Sequence, residues 1–113
     1  MDHKTIIEYQ GIVQQLESKF GEGLDLDSVL LLIGIQELGF GYKRYSKDEK
    51  MNLMHVAICT ILEPFGFYEF THNDEDGWPH FDKVGNIPPL KGKEQEFLLK
   101  EAVTQYFRVN DYL

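Results

Sequence analysis

His55 and Cys59 stand four residues apart in the run from Met51 to Leu62, and on a helix that spacing puts both side chains on one face. An imidazole and a thiol placed together can hold one metal ion, or can act as an acid–base group beside a nucleophile. Two ligands do not complete a site, so others would have to arrive from His72, His80, Asp74 or Glu63 by tertiary approach. The plainer reading makes His55 a hydrogen-bonded residue at the edge of the core and Cys59 a buried filler. Thiol chemistry is disfavoured, because burial in so apolar a run raises a cysteine pKa rather than lowering it.

The loop Asn73-Asp74-Glu75-Asp76-Gly77 gathers carboxylates that attract divalent cations. Setting Asp74, Asp76 and Gly77 at positions three, five and six of a calcium loop puts His72 at position one and Lys83 at position twelve. Neither supplies the anionic oxygen required there. The stretch therefore reads as a solvated hairpin turn in which Asp74 and Asp76 are marginal metal ligands, and no cofactor is expected.

Fifteen of the 113 residues are aromatic, nine of them between Phe40 and Phe81. Tyr42, Tyr45, Tyr68 and Trp78 each pair an apolar ring with a polar group, which suits either a recognition surface or a small core joining a hairpin to helices. Arg44 belongs to the same candidate surface, within a basic stretch of Lys43, Arg44, Lys47 and Lys50. Against 19 acidic residues there are only 11 basic ones, a net charge of −8. Such a field repels phosphate backbones and anionic lipid surfaces, so neither nucleic acid nor membrane is an expected partner. The basic stretch is left to balance nearby acids or to meet an acidic partner or a phosphate.

Positioning these residues requires four helices and a hairpin. Ile6, Tyr9, Val13, Leu16 and Phe20 recur at helical spacing and predict a helix over about 5–20, stopped near Gly21 and Gly23. Asp25 or Asp27 can cap a second helix, about 27–38, that is apolar on every face in its middle and so reads as central. Ser46 and Glu49 form the pattern of a capping box, starting a third helix that Pro64 ends, about 47–63. Its stripe is expected at Met51, Met54, Ile58, Ile61 and Leu62. Asp76-Gly77 then turns a β-hairpin of about 68–72 with 78–82. Pro88 and Pro89 separate it from a last helix of about 91–107. The expected class is mainly α, or α+β at most, with the hairpin inserted between helices three and four of one compact domain over residues 1–113.

Three stretches, Asp25-Leu26-Asp27-Ser28, Ser46-Lys47-Asp48-Glu49-Lys50 and Asp76-Gly77-Trp78-Pro79-His80-Phe81, resemble segments of small bacterial proteins to which no activity is attached. The resemblance implies a stand-alone, mostly helical bacterial protein and transfers no catalytic residue. Asp2, Lys4 and Glu8 interrupt the start where a secretory signal would be apolar, and the longest apolar run, Val29 to Ile35, is short of the roughly 20 residues a bilayer needs. With its single cysteine the chain suits a reducing cytoplasm. The expected function is binding, to a protein partner or to its own copy as a homodimer. That dimer is expected through Ile6, Ile7, Tyr9, Ile12 and Val13 on helix one and Phe97, Tyr106, Phe107, Val109, Tyr112 and Leu113 near the end. The alternative is a small metal-dependent or ligand-binding enzyme centred on His55, Cys59 and the hairpin histidines.

Overall fold

The helices and the hairpin form in the expected order in the computed structural model, which describes residues 3–86 and 92–110. The Pro88-Pro89 break, the Lys91 start, Tyr112 and Leu113 lie outside the described residues. Helix accounts for 66% of the described residues. The helices are α1 His3–Phe20, α2 Leu26–Leu38, α3 Lys47–Leu62 and α4 Lys93–Asn110, with a 3-10 turn at Glu63–Phe65 and strands β1 Tyr68–Asn73 and β2 Pro79–Lys83. None of the described helices is long and apolar enough to cross a membrane.

The helix ends follow from local chemistry. Asp25 is the cap of α2, its Oδ1 accepting from the Ser28 amide at 2.9 Å and the Ser28 hydroxyl at 2.7 Å, which meets one of the unpaired first-turn donors. These bonds, the hydroxyl first, lower the Asp25 pKa. At the other end Gly39 takes φ 77° and returns its amide to the Ile35 carbonyl, a conformation that favours glycine. The capping box of α3 is complete: the Glu49 amide donates to Ser46 Oγ at 3.1 Å and the Ser46 amide to Glu49 Oε1 at 2.9 Å.

Helix α2 is central, as its all-round apolarity predicts, because it feeds two cores. Val29, Leu30 and Ile33 join Leu16 of α1, Ala57, Ile61 and Leu62 of α3, and Val103, Tyr106 and Phe107 of α4. Ile35 and Leu38 join Tyr45 and Leu53, with Trp78 packed against them. Of the stripe expected on α3, Ile61 and Leu62 are buried and Met54 and Ile58 pack against the first core, but Met51 is 60% exposed, and Leu53, Val56, Ala57 and Cys59 are buried beside it. The reason lies in α2, which presses on α3 so closely that a methyl group on Gly34 would stand 2.2 Å from the Leu53 carbonyl oxygen. Leu53 therefore faces the core, and Met51, two residues away, faces water.

Helices α1 and α4 lie against each other and are tied at the surface by an Arg108–Glu8 ion pair. Tyr9, Tyr106 and Phe107, expected to serve a dimer interface, are instead buried within the chain. What remains exposed of that set includes Ile7 and Val109.

The hairpin is antiparallel and carries a bulge at Thr71, between the pairs Phe70–Phe81 and His72–His80. An extra residue reverses the side-chain alternation of the bulged strand. Without it Phe70 and His72 would share a face. With it Phe70 meets Phe81 edge-on at 5.8 Å, and His72 stacks parallel on His80 at 4.9 Å. The hairpin is fixed to the end of α3 by the Phe70 amide, which donates to Glu63 Oε2 at 2.6 Å.

Candidate functional site

Asn52, His55 and Val56 recur at helical spacing on the face of α3 that meets the hairpin, where Asp74, Trp78, His80 and Phe81 form the opposite wall of an open groove of about 360 Å³. Two of the four residues expected to make a polar site, His55 and His80, thus share one groove. The other two do not line it. Cys59, one turn beyond His55, is fully buried, and its Sγ lies 3.6 Å from His55 Nε2. Burial pushes the Cys59 thiol up to about 11, which leaves it protonated near neutrality and unsuited to nucleophilic work. His72 lies behind His80, its Nδ1 at 2.9 Å from the Thr71 hydroxyl.

Asp74 does structural work that the loop sequence hides. Its Oδ1 accepts from the amides of Asp76 and Trp78, both at 2.9 Å, and its Oδ2 bonds His80 Nε2 at 3.0 Å. The His80 bond first, then the Trp78 amide, hold its carboxyl below the usual carboxylate range. A carboxylate so engaged closes the turn, with Gly77 at φ 87°, and has little left for a cation. Among the described residues no three His, Cys, Asp or Glu side chains gather as a metal ion would require.

The aromatic set divides. Tyr45 is 5% exposed and its hydroxyl donates to the Gly41 carbonyl at 2.6 Å. Tyr68 is half-buried against the first core and Trp78 against the second. Tyr45 is thus closed off from solvent, while Tyr68 and Trp78 join the hairpin to the helices and keep part of their surface open, Trp78 in the groove beside His55. Tyr42 is different, being 61% exposed, and Arg44 is exposed beside it.

Tyr42 stands over a second depression that sequence reasoning did not anticipate. Its ring packs on Phe20 at 5.2 Å, and below them Leu16, Ile33, Tyr106 and Phe107 line a cleft of about 100 Å³ with Lys19 and Gln36 at its edge. Phe40, also exposed, meets Trp78 edge-on at 6.3 Å, and the Lys43 ammonium lies over the rings of Phe40 and Tyr45 at 5.6 and 5.4 Å. The available signal was positional. Phe40 and Tyr42 flank Gly41 in a loop with no helix face to bury them, whereas Phe20, which its spacing places on the apolar stripe of α1, ends that helix beside Gly21 and is 42% exposed.

A third groove, about 440 Å³, runs past Tyr9, Asp25, Glu96 and Lys100. Tyr9 is pushed up to about 12, first by burial and then by the negative charges of Glu96 and Asp25. Lys100 covers its ring at 5.2 Å and pairs with Glu96 at 3.4 Å.

Compared with protein-family models, with curated proteins and with solved structures, the chain matches none of them.

Proposed function

We propose that the protein acts by binding another protein, through the surface formed by the end of α1 and the α2–α3 loop. The observation that carries this reading is the exposure of two aromatics that meet at 5.2 Å, Phe20 at 42% and Tyr42 at 61%, with Phe40, in the same loop as Tyr42, exposed at 44%. Rigid aromatic anchors at the rim of a small pocket are the arrangement from which interfaces draw most of their energy. Self-association through α1 and α4 has fewer residues to draw on, since Tyr9, Tyr106 and Phe107 are buried within the chain while Ile7 and Val109 stay exposed.

The test compares capture of partners by the intact protein with capture by Phe20→Ala, Tyr42→Ala and Met51→Ala, each first shown to be folded by circular dichroism. Met51 is equally exposed but lies away from the loop. The expected result is a partner lost with the first two substitutions and kept with the third. Capture indifferent to Phe20 and Tyr42 would overturn the reading.

A second reading, a ligand-binding or enzymatic site, has the shared groove of His55 and His80 in its favour. His55→Ala and His80→Ala separate the two: loss of binding with these, and not with Tyr42→Ala, would move the site to the hairpin seam.

A further inference from the structure

We propose that the outer edge of β2 pairs with the same edge of a second copy of this chain, joining two hairpins into one antiparallel sheet about a twofold axis at Phe81. The hydrogen-bond phase of the hairpin decides what that edge offers. The Val84 amide donates to the Phe67 carbonyl, and with Tyr68 opposite Lys83 and Phe70 opposite Phe81 the alternation turns the main-chain groups of Phe70, Phe81 and Lys83 away from the ladder. On β1 the bulge at Thr71 breaks the edge and Glu63 takes the outward Phe70 amide. On β2 no described residue takes the outward amides of Phe81 and Lys83. Helix α3 contacts both strands, so it lies under a face of the hairpin rather than along this edge, where His80, Asp82 and Lys83 are exposed.

A second copy is the occupant because this edge is complementary to itself in one register. Centred on Phe81, the two Phe81 residues exchange main-chain hydrogen bonds and each Lys83 amide donates to the partner's Pro79 carbonyl. On one face the Phe81 rings meet across the axis and extend the edge-on Phe70–Phe81 pair. On the other, His80 stands opposite the partner's Asp82. The neighbouring registers are worse. One residue earlier, the pairing needs an amide from Pro79, which has none; one later sets Asp82 against Asp82, and two later Lys83 against Lys83. Within its own hairpin Asp82 already faces Glu69, like charge against like, so a cation is what its open side lacks. His80 Nε2 is engaged with Asp74, so His80 reaches the partner's Asp82 through Nδ1, and donates there when it carries both ring protons. His72, stacked on it, and His55, across the groove, are the other titratable groups that face it. Antiparallel pairing also keeps the two acidic turns at opposite ends of the sheet, away from the axis.

Sedimentation of the full chain from about 10 µM to about 1 mM is the test, because an edge this short makes a weak dimer that fills only toward the upper concentrations. A mass rising toward two chains is expected, and a monomer throughout would overturn the proposal. Lys83→Pro removes an amide that points out of the hairpin, a place where an edge strand accepts proline. It should weaken the dimer about tenfold, by loss of a hydrogen bond from each copy, with circular dichroism unchanged. A dimer indifferent to Lys83→Pro, or one that Tyr42→Ala dissolves, would seat the two copies elsewhere and overturn it.

The register is read from Phe81→Cys and Phe70→Cys, which replace the two members of one cross-strand pair. Under mild oxidation Phe81→Cys should link two chains about ten times faster, since the axis sets the thiols within disulfide reach, although Phe70 at 44% exposed is the more open of the two. Equal rates, or a faster Phe70→Cys, would overturn a twofold at Phe81. Acidification from about pH 8 to about pH 6 should tighten the native dimer more than that of Asp82→Asn, and an equal response in both would overturn the pairing of His80 with the partner's Asp82.

Discussion

Gly34→Ala tests how the two central helices meet. In a helix interior an alanine is favoured over glycine by about 1 kcal/mol, because glycine loses more backbone freedom on folding. Local propensity alone therefore makes the substitution stabilising. Packing opposes it: the added methyl would lie 2.2 Å from the Leu53 carbonyl oxygen and 2.7 Å from its carbon. Both are backbone atoms of α3, so no side chain can rotate away, and α2 must move outward by roughly 1 Å to reach ordinary contact. Overpacking of this kind costs about 1–3 kcal/mol, and the displacement also loosens Ile33 and Ile35, which feed the two cores on either side of Gly34. Steric cost wins, and the expected net loss is about 1–2 kcal/mol, a fall in Tm of roughly 4–12 °C for a chain of this size. Gly11→Ala is the control, since it lies within α1 with open space where its methyl would go, and should stabilise by about 0.5–1 kcal/mol. Thermal and urea unfolding by circular dichroism would measure both. If Gly34→Ala stabilises as much as Gly11→Ala, the close approach of α2 to α3 is wrong.

Ser46→Ala removes one half of the α3 capping box and should cost about 0.5–2 kcal/mol, read as a lowered urea midpoint with unchanged slope. Cys59, fully buried and with its thiol pushed up to about 11, should not react with an aromatic disulfide reagent at pH 8 until denaturant unfolds the chain; prompt reaction would place it at the surface. The Asp74 carboxyl is held below its ordinary value of 3.8 by the folded hairpin, so its contribution is complete above that value and is lost as pH falls through the lower folded pKa. Amide protection at Asp76 and Trp78 should fall across that acid range in the native protein and be insensitive to it in Asp74→Asn. Tyr9 carries the opposite sign at high pH: its phenol is raised from 10.0 to about 12, so its contribution is complete below 10 and is lost between those values, visible as a falling urea midpoint that Tyr9→Phe removes.

Local signals were the readable ones. The limits of α2 and α3, the capping box and the hairpin are all set by residues within a few positions of where they act, as at Asp25 with Ser28 and Ser46 with Glu49. The bulge at Thr71 was not readable, because nothing in Phe70-Thr71-His72 distinguishes a regular strand from one whose alternation reverses. Its effect is nevertheless large: it separates the phenylalanine pair from the imidazole pair. In the stripe of α3 only Met51 went astray, for a related reason. Periodicity says which residues lie on the same side, but α3 is packed on two sides, and which apolar set turns outward depends on how closely α2 can approach. Gly34, a glycine in the middle of the most apolar helix, was the residue that marked that approach.

The candidate surface shows the same division between composition and neighbourhood. Tyr42 and Tyr45 are three residues apart, equally amphipathic and set in the same basic stretch, yet one is 61% exposed and the other 5%. The difference is made by Leu53, Ile35 and Leu38, which enclose Tyr45, and by the Gly41 carbonyl that receives its hydroxyl, so a buried polar atom is satisfied at no cost in strain. Tyr42 meets the Phe20 ring at 5.2 Å over an open cleft, and Phe20 is itself 42% exposed. Both rings stand where elements end, Phe20 in the last turn of α1 and Tyr42 in the loop between Gly39 and the capped start of α3. Two adjoining aromatic rings left in water form the kind of exposed apolar surface that a partner covers. A partner that covered the pair would remove that exposure, and it is on this surface, rather than on the more chemically suggestive histidines, that the proposed protein-binding role rests.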